Sequence, residues 1–409
     1  MSDARPPAID SAGVRAPIVA GLVAALVGFT SSFAVVIAGL RAVGATPAQA
    51  ASGLLALCLV FGLVMLGLAT WTRLPLSFAW STPGAALLVS TGTVDGGWAA
   101  AVGAFAVTGV LLALTGLVPA LGRLIGRIPV PLAQAMLGGV LLQLCLAPFV
   151  AVADSPALIA PILLVWLVAT RWLPTWAVPI AFVVALGVMA TDLATSDAAV
   201  PRADLVPTLS WTTPAFTVAA VIGIAVPLTV VTMASQNIPG VAVMASYGYR
   251  VPWTPSMVAA GAGTAIVAPF GGHAMNLAAL SAALTAGDGA GAKDRRWIAA
   301  ATAGVAYLVL APASAALVAL TASAAPGIVE SVAGLALLAA FAAAMRGALD
   351  DTEHRTSSAV AFLVAASGIT IGGVGGAFWA LVLGLAVRWT IERPRPDAAA
   401  DPADPADPA

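Results

Sequence analysis

Polar side chains are rare in this sequence, and several of them stand beside proline or glycine, where an α-helix is interrupted. The groups Ser81-Thr82-Pro83-Gly84, Ser235-Gln236-Asn237 and Gly271-Gly272-His273 lie within stretches that are otherwise apolar. An interrupted helix leaves backbone N–H groups unpaired, and the positive end of its dipole attracts anions. Hydroxyl, amide and imidazole groups beside such a break can complete a binding site. The pattern therefore predicts a site for a small anion, such as a carboxylate.

The composition indicates that this site lies in a membrane protein. Of 409 residues, 61% are hydrophobic and 9% are charged, and the mean hydropathy is +1.02, whereas soluble domains carry about 25% charged residues. The basic residues are scattered and the net charge is -1, so we expect no nucleic-acid partner. Cys58 and Cys145 are isolated, without the spacing of a disulfide frame or a zinc site. We therefore expect no metal and no cofactor.

Apolar stretches of about 20 residues recur along the chain, and each can cross a hydrocarbon core of about 30 Å as a helix. They predict an all-α polytopic membrane protein of about fourteen spans. The predicted segments are 17–39, 47–70, 75–91, 97–120, 128–148, 154–170, 173–191, 214–235, 253–266, 268–285, 296–320, 327–344, 356–370 and 373–390. The third and tenth contain proline and glycine breaks, and we expect short extended stretches within them.

The basic residues predict the orientation of these spans. With the N-terminus in the cytoplasm, only Arg41 and Arg202 of the 17 basic residues fall on the outer side. This asymmetry follows the positive-inside rule and predicts a multi-pass protein of the bacterial inner membrane with both ends in the cytoplasm. Residues 1–15 and 393–409 are predicted cytoplasmic tails. The second tail repeats Asp-Pro-Ala and is predicted to be disordered.

The two halves of the chain share weak similarity in the same order. Pro75 before the third segment, for example, resembles Pro269 before the tenth. Because a shift of seven spans reverses direction, we predict two inverted repeats, 16–191 and 214–392, joined by a periplasmic linker, 192–213. Inverted repeats with interrupted helices recur in transporters, with the binding site near the membrane midplane.

The breaks predict two half-helices that converge inside the membrane. Ser81 or Thr82 is a good N-cap and proline is tolerated in the first turn, so one half-helix is predicted to begin near residue 82. In the tenth segment, Gly271-Gly272 permits an extended approach, and the second half-helix is predicted to begin around His273. The alternative is that both breaks are kinks in ordinary spans, which membrane helices tolerate.

Several side chains near the breaks have two interpretations. Gln236 and Asn237 can bond a substrate or a half-helix, or they can only join neighbouring helices. His273, the only histidine predicted inside the membrane, can handle substrate or protons, or it can cap a helix. Glu330, near the outer end of the twelfth span, is a second candidate for carrying a proton.

Aromatic residues near the breaks have two interpretations as well. Phe33, Phe78, Trp80 and Phe270 could line a slot for an aromatic substrate. The alternative is that they serve in packing or at the membrane interface, as most aromatic residues in membrane spans do.

Four motifs resemble the BenE family of bacterial benzoate:proton symporters, and the similarity runs from about Val14 to Arg393. The motifs are Gly28-Phe-Thr-Ser-Ser-Phe33, Phe78-Ala-Trp-Ser-Thr-Pro-Gly84, Ala234-Ser-Gln-Asn-Ile-Pro-Gly240 and Pro269-Phe-Gly-Gly-His-Ala-Met-Asn276. The combination of all four is specific. It implies uptake of benzoate or a similar aromatic carboxylate, driven by the proton gradient.

A more distant similarity, to uracil and anion transporters, implies further features of the fold. These are a core domain of spans 1–4 and 8–11, a gate domain of spans 5–7 and 12–14, alternating access of one against the other, and a homodimer. The substrate in that fold lies between the half-helices of spans three and ten, beside span eight. The candidate substrate-binding residues are therefore Ser81, Thr82, Gly84, Gln236, Asn237, Gly271, Gly272, His273, Asn276, Phe33, Phe78 and Phe270.

One departure from the wider fold bears on the substrate. Nucleobase transporters carry glutamates in spans eight and ten, where this sequence has Gln236 and Gly272-His273. The loss of fixed negative charge suits an anion but leaves the proton carrier open between His273 and Glu330. The alternatives are an inorganic anion or a nucleobase as substrate and, least favoured, a membrane enzyme, for which the sequence lacks a catalytic constellation.

Overall fold

A computed structural model of the chain describes residues 11–195, 201 and 205–392. The predicted C-terminal tail and residues 1–10 of the predicted N-terminal tail lie outside the described residues. The helices of the first half are α1 (Ser11–Thr30), α2 (Phe33–Ala42), α3 (Pro47–Thr72), α4 (Thr82–Thr91), α5 (Gly97–Leu117), α6 (Pro119–Gly126), α7 (Val130–Asp154), α8 (Pro156–Trp172) and α9 (Ala177–Thr195).

The second half contains the remaining helices. They are α10 (Val218–Ala220), α11 (Val226–Thr232), α12 (Ile238–Ser246), α13 (Trp253–Val267), α14 (Ala279–Ala286), α15 (Trp297–Leu310), α16 (Ser314–Ser323), α17 (Ile328–Leu349), α18 (Arg355–Ala366) and α19 (Gly376–Thr390). Four short strands form two antiparallel pairs. They are β1 (Phe78–Trp80) with β2 (Met275–Leu277), and β3 (Thr370–Ile371) with β4 (Val374–Gly375).

The helices have the length and composition of membrane spans. Within the described residues, eight helical stretches are long and apolar enough to cross a membrane. Shorter apolar helices such as α8 and α19 accompany them. Large apolar side chains are exposed on the outside, including Val309, which is 73% exposed. The all-α polytopic class is confirmed, and the prediction of fourteen spans is consistent with these elements.

Small residues allow the long helices to pack closely. A Cβ added at Gly62 of α3 would lie 2.8 Å from the carbonyl oxygen of Gly304 on α15. A Cβ at Gly109 of α5 would lie 2.7 Å from the carbonyl oxygen of Gly261 on α13. Glycine at these positions lets two helix backbones approach within van der Waals distance, as is common in membrane helix pairs.

The helices pack mainly with partners from the opposite half of the chain. Helix α3 packs on α15 and α5 on α13, whereas α7 packs on α17 and α18. The first two pairs belong to the predicted core domain and the last group to the predicted gate domain. The division into core and gate domains and the inverted repeat remain predictions.

The predicted start of the second half-helix at His273 is wrong. A 3-10 turn at Ala268–Phe270 is followed by Gly271 with φ of 90°, and the chain then runs extended through β2. Helix α14 begins at Ala279. The extended run is longer than expected because β2 pairs with β1, a long-range contact. Pro269 therefore lies further from its half-helix than Pro75 does, which weakens their predicted equivalence.

Span eight continues past its predicted end at residue 235. Residues Val221–Ala225 and Met233–Asn237 form π-helical turns, and the helix then runs through α12 to Ser246. Ser235, Gln236 and Asn237 therefore lie inside the span. Pro239 does not end the helix because the wider π turn before it accommodates a residue that lacks an N–H group.

Other boundaries shift for local reasons. The first predicted span divides at Ser31–Ser32 into α1 and α2. Helix α9 extends to Thr195, past the predicted start of the linker. The ends predicted at 370 and 373 fall in the β3–β4 hairpin, whose turn contains Gly372 and Gly373 with positive φ. Such a two-residue glycine turn is typical of hairpins.

Candidate functional site

The two interrupted spans meet through their strands. Phe78 pairs with Leu277, Ala79 with Asn276 and Trp80 with Met275. The pairing extends at both ends. Ser81 N–H donates to the carbonyl of Ala274 over 2.8 Å, and Ala278 N–H donates to the carbonyl of Ser77 over 2.9 Å. Each half-helix begins directly after its strand, and because the pair is antiparallel, the two helix N-termini lie at its opposite ends.

The N-terminus of α4 is capped by its own chain. The hydroxyl oxygen of Ser81, the N-cap, accepts a hydrogen bond from Gly84 N–H over 3.1 Å. It also accepts one from the hydroxyl of Thr232 on α11, over 2.9 Å. Pro83 contributes no N–H group. Most of the donor capacity at this terminus is therefore removed or satisfied internally.

The N-terminus of α14 has no such cap. Its N-cap residue is Ala278, whose methyl group cannot accept a hydrogen bond. The first N–H groups of a helix have no partner within that helix, and among the described residues those of Ala279, Leu280 and Ser281 make no hydrogen bond. The positive end of the helix dipole lies at the same point. The first turn of α14 is thus suited to bind an anion.

A cavity of about 210 Å³ opens at this first turn of α14. It is lined by residues of α1, the turn between α1 and α2, the β1–α4 junction, the second π turn, the start of α14 and α17. The polar and aromatic residues of the wall are Ser31, Ser32, Trp80, Thr82, Gln236 and Ser281. Helix α17 supplies three alanines, Ala336, Ala339 and Ala340, together with Leu337. Among the described residues that line this cavity, none carries a charge.

One wall of the cavity rests on an aromatic cluster. The ring centroid of Trp80 lies 5.6 Å from those of Phe29 and Phe61 and 6.4 Å from that of Tyr307. Phe61 meets Tyr307 edge to face at 4.5 Å. These distances are within the favourable range for aromatic pairs, so Trp80 is held firmly as a flat surface at the cavity.

Some of the predicted site residues line the cavity, and others do not. Thr82 and Gln236 line the cavity, and Ser81 and Gly84 form the cap behind it. The other predicted residues do not line the described part of this cavity. Phe33 packs on Phe29 and Phe182, Phe78 is fully buried, and Phe270 packs on Trp211.

Asn237 and Asn276 support the second strand. Asn237 Oδ1 accepts a hydrogen bond from Leu277 N–H over 2.8 Å, and Asn276 Nδ2 donates to the carbonyl of Leu277 over 2.8 Å. Both side chains are fully buried. Span eight is thereby bonded to β2, and these amides fix the strand from which α14 starts.

His273, in the tenth span, contacts the third span. Its Nε2 lies 3.1 Å from the carbonyl oxygen of Ser81, and its ring packs against Phe105. Its Nδ1 is buried without a hydrogen-bond partner among the described residues. Gly271 and Gly272 lie beside α3, where added Cβ atoms would meet Gln49 and Leu57. These residues shape the approach to the site.

Glu330 lies at the exposed start of α17. Its Oε2 accepts a hydrogen bond from Gly327 N–H over 3.1 Å, which caps the helix. A polar cluster lies at the other end of the same helix. There His354 hydrogen-bonds to Asp351, with Arg388 3.3 Å away, and together they hold the pKa of Asp351 below its usual value. Neither group lines the cavity.

Sequence reasoning missed several lining residues. Ser31 and Ser32 belong to the first of the four family motifs, but of that motif only Phe33 was selected as a candidate site residue. Ser281 and Ala278 were missed because the start of α14 was predicted too early. Leu337 and its small neighbours on α17 carry no signal in sequence. In the described residues there is also no group of three His, Cys, Asp or Glu side chains that could hold a metal.

Comparison with solved structures identifies the fold. The transmembrane domain of a cyanobacterium bicarbonate transporter, BicA, matches with a TM-score of 0.57 at 14% identity, covering 91% of this chain and 97% of that chain. The overall structure of SLC26A9 matches with a TM-score of 0.58 at 14% identity, covering 91% of this chain and 64% of that one. The chain therefore has the fold of these transporters.

Comparison with known sequences identifies the family. The Inner membrane protein YdcO of Escherichia coli is 39% identical over 370 residues, covering 90% of this chain and 93% of that protein. A Benzoate membrane transport protein of Acinetobacter baylyi is 29% identical over 331 residues, covering 79% and 82%. The family model of the Benzoate membrane transport protein, BenE, matches residues 13–390. The chain is a multi-pass membrane transporter rather than an enzyme, and it belongs to the BenE family.

Proposed function

We propose that this chain imports benzoate or a similar aromatic carboxylate together with protons. The transport cycle is alternating access of a core domain, spans 1–4 and 8–11, against a gate domain, spans 5–7 and 12–14. The observation that carries the proposal is the uncapped first turn of α14, which faces a cavity with Trp80 in its wall.

The carboxylate binds at the start of α14. Its oxygens accept hydrogen bonds from the free N–H groups of Ala279, Leu280 and Ser281, and the helix dipole favours its charge. Thr82 and Gln236 line the same cavity and supply further donors. No described lining residue carries a negative charge that would repel the anion.

The aromatic ring lies against the apolar part of the wall. Trp80 offers a flat surface backed by Phe29, Phe61 and Tyr307. Ala336, Ala339 and Ala340 of α17 also line the cavity, and their small side chains leave room for a ring. A ligand that is apolar at one end and anionic at the other matches this division, whereas an inorganic anion would leave the apolar wall unused.

We propose His273 as the proton carrier, with Glu330 as the second candidate. His273 is fully buried, and it contacts the carbonyl of Ser81 at the start of the other half-helix. Its protonation would therefore change the electrostatics of both broken spans. Glu330 is exposed, and one of its carboxylate oxygens already caps α17.

We also propose that both ends of the chain face the cytoplasm and that the protein forms a homodimer. The distribution of the 17 basic residues supports the orientation. Cys58 and Cys145 are buried, so a single cysteine added to the C-terminus would be the main reactive thiol. Labelling of this thiol in intact cells by an impermeant reagent would contradict the orientation.

The proposed function is tested by uptake into proteoliposomes. Vesicles that contain the purified full chain are given labelled benzoate and an inwardly directed proton gradient. Accumulation above equilibrium that is abolished by a protonophore is expected. Vesicles without protein are the control, and a lack of gradient-dependent accumulation would contradict the proposal.

Competition in the same assay identifies the substrate class. An excess of unlabelled benzoate is expected to suppress the signal, whereas sulfate, bicarbonate and uracil are not. Strong suppression by sulfate or bicarbonate would assign the site to inorganic anions instead, and suppression by uracil would assign it to nucleobases.

A further inference from the structure

The buried hydroxyl of Tyr307 lies next to Gly28, a residue of the cavity wall. Tyr307 of α15 is 1% exposed, and its ring packs on Phe61 and Trp80. Within residues 11–195, 201 and 205–392, its hydroxyl makes no hydrogen bond. Buried tyrosine hydroxyls usually have a partner. The oxygen also retains accessible surface, unlike the enclosed Nδ1 of His273.

The position of this hydroxyl relates it to the cavity wall. Gly28 of α1 and Ser281 of α14 both line the cavity. A Cβ added at Gly28 would overlap the hydroxyl oxygen of Tyr307 and would lie 3.4 Å from Oγ of Ser281. The two hydroxyls therefore stand on either side of the same small space, and the absence of a side chain at Gly28 keeps that space open.

Ser281 adds a second free donor at this point. Its hydroxyl makes no hydrogen bond within the described residues, and it belongs to the first turn of α14. Its Oγ therefore lies near the N–H groups that have no cap. Because the described lining holds no cation, an anion here depends on neutral donors, and each lost donor should reduce affinity.

We propose that Tyr307 and Ser281 are substrate-binding residues whose hydroxyls donate hydrogen bonds to the carboxylate at the start of α14. The inference rests on the proposed function, since it deepens the same site. An ionised carboxylate has about four lone-pair positions, which the two hydroxyls and two of the backbone N–H groups would fill. Hydrogen bonds to a charged acceptor are stronger than those between neutral groups.

The test compares binding of benzoate and benzamide to the purified full chain in detergent, measured by calorimetry. Benzamide keeps the ring and the planar shape but carries no charge. The Tyr307→Phe variant removes only the hydroxyl and keeps the aromatic cluster. Tyr247→Phe is the matched control, because it removes a tyrosine hydroxyl that lies near Gly287 and not beside Gly28.

Tyr307→Phe is expected to weaken benzoate binding about tenfold or more, which corresponds to about 1.4 kcal/mol per factor of ten. Benzamide binding should change much less, and Tyr247→Phe should change neither. Ser281→Ala should show the same selectivity and provides a second measurement if Tyr307→Phe folds poorly.

Three results would overturn the assignment. Unchanged benzoate affinity in both Tyr307→Phe and Ser281→Ala would refute it. Equal weakening of benzoate and benzamide would assign Tyr307 to packing. Selective loss of ring-hydroxylated benzoates would assign the hydroxyls to a ring substituent. If the unmodified chain does not bind benzoate, the proposed function fails together with this inference, whereas benzoate binding that neither Tyr307→Phe nor Ser281→Ala weakens refutes the inference alone.

Discussion

The half-helices α4 and α14 follow the two strands of one pair, but their N-termini differ. The first turn is capped by a side chain in α4 and not in α14. At the N-terminus of α4, Ser81 accepts hydrogen bonds from Gly84 and Thr232. At the N-terminus of α14, the alanine N-cap leaves the first donors free. Two helix ends that look equivalent in sequence are thus one closed end, which supports the fold, and one open end, which faces the cavity.

The C-terminal ends of α4 and α14 also differ, and here α14 is the helix held by a side chain. Helix α4 ends at Thr91 and is followed by Gly92, the C-cap, which has a φ of 67°; the last turn of the helix contains no basic residue. Helix α14 ends against Arg296, whose guanidinium donates to the carbonyls of Ala286 over 2.6 Å and Gly291 over 2.8 Å. A cation at a helix C-terminus is favourable. The half-helix with an open N-terminus is therefore anchored at its other end.

The largest predicted effect comes from closing the open end. Ala278→Asp adds a carboxylate where the substrate carboxylate is proposed to bind, and like charges brought together cost several kcal/mol. Benzoate binding is expected to weaken at least about 100-fold, while the Tm stays equal or rises because aspartate is a good N-cap. Calorimetry and thermal melting measure both.

The matched control is Ala278→Asn, which adds a neutral cap of the same shape. It should weaken binding less than Ala278→Asp does. Normal benzoate binding by Ala278→Asp would mean that the open end is not the anion site.

The next largest effect is expected at the contact between His273 and Ser81, which connects the two broken spans. His273→Ala removes the contact with the carbonyl of Ser81. A positioned proton-transfer group contributes about 10²-fold or more to a rate. If His273 carries the proton, its loss should therefore reduce gradient-driven benzoate uptake by at least about tenfold. Exchange of labelled for unlabelled benzoate without a gradient should persist.

Glu330→Gln is the comparison variant, because glutamine can keep the cap of α17. It should retain both gradient-driven uptake and exchange. Unchanged uptake with an unchanged pH profile in His273→Ala would leave His273 with a structural role. A selective loss of gradient-driven uptake in Glu330→Gln would move the proton to that residue.

A smaller effect is expected from loosening the anchored end of α14. Arg296→Met removes the guanidinium and leaves buried carbonyls such as that of Ala286 without a donor. Hydrogen bonds to charged groups contribute about 1.5–3 kcal/mol, so a clear fall in Tm is expected. Arg295→Met, at the neighbouring basic residue, is the control. Equal Tm values for the two variants would contradict the anchoring role.

The smallest effect is expected at the closed end. Ser81→Ala removes the N-cap of α4 and should destabilise the protein by about 1 kcal/mol. Benzoate affinity should change less than in any variant at α14. Ser90→Ala, in the same helix, is the control for loss of a serine hydroxyl. A larger loss of benzoate affinity for Ser81→Ala than for Ser281→Ala would assign the anion site to the N-terminus of α4 instead of α14.

Much of the site could be predicted where the signal was local. The start of α4 at Thr82 was confirmed because Ser81 and Pro83 act within one turn of the chain. The start of α14 was predicted six residues too early, since pairing with β1 keeps residues 275–277 extended. No residue pattern near Gly271 indicates that β2 pairs with β1.

The sequence by itself determined that the chain crosses the membrane repeatedly and that two of its spans are interrupted. Hydropathy, proline and glycine act over a few residues, so these features need no knowledge of distant neighbours. The tertiary structure alone decided which helix end stays open and that alanines of α17 and the hydroxyls of Ser31 and Ser32 line the cavity. It also decided that the Tyr307 hydroxyl lies in the space beside Gly28. Each of these depends on contacts between residues far apart in the chain.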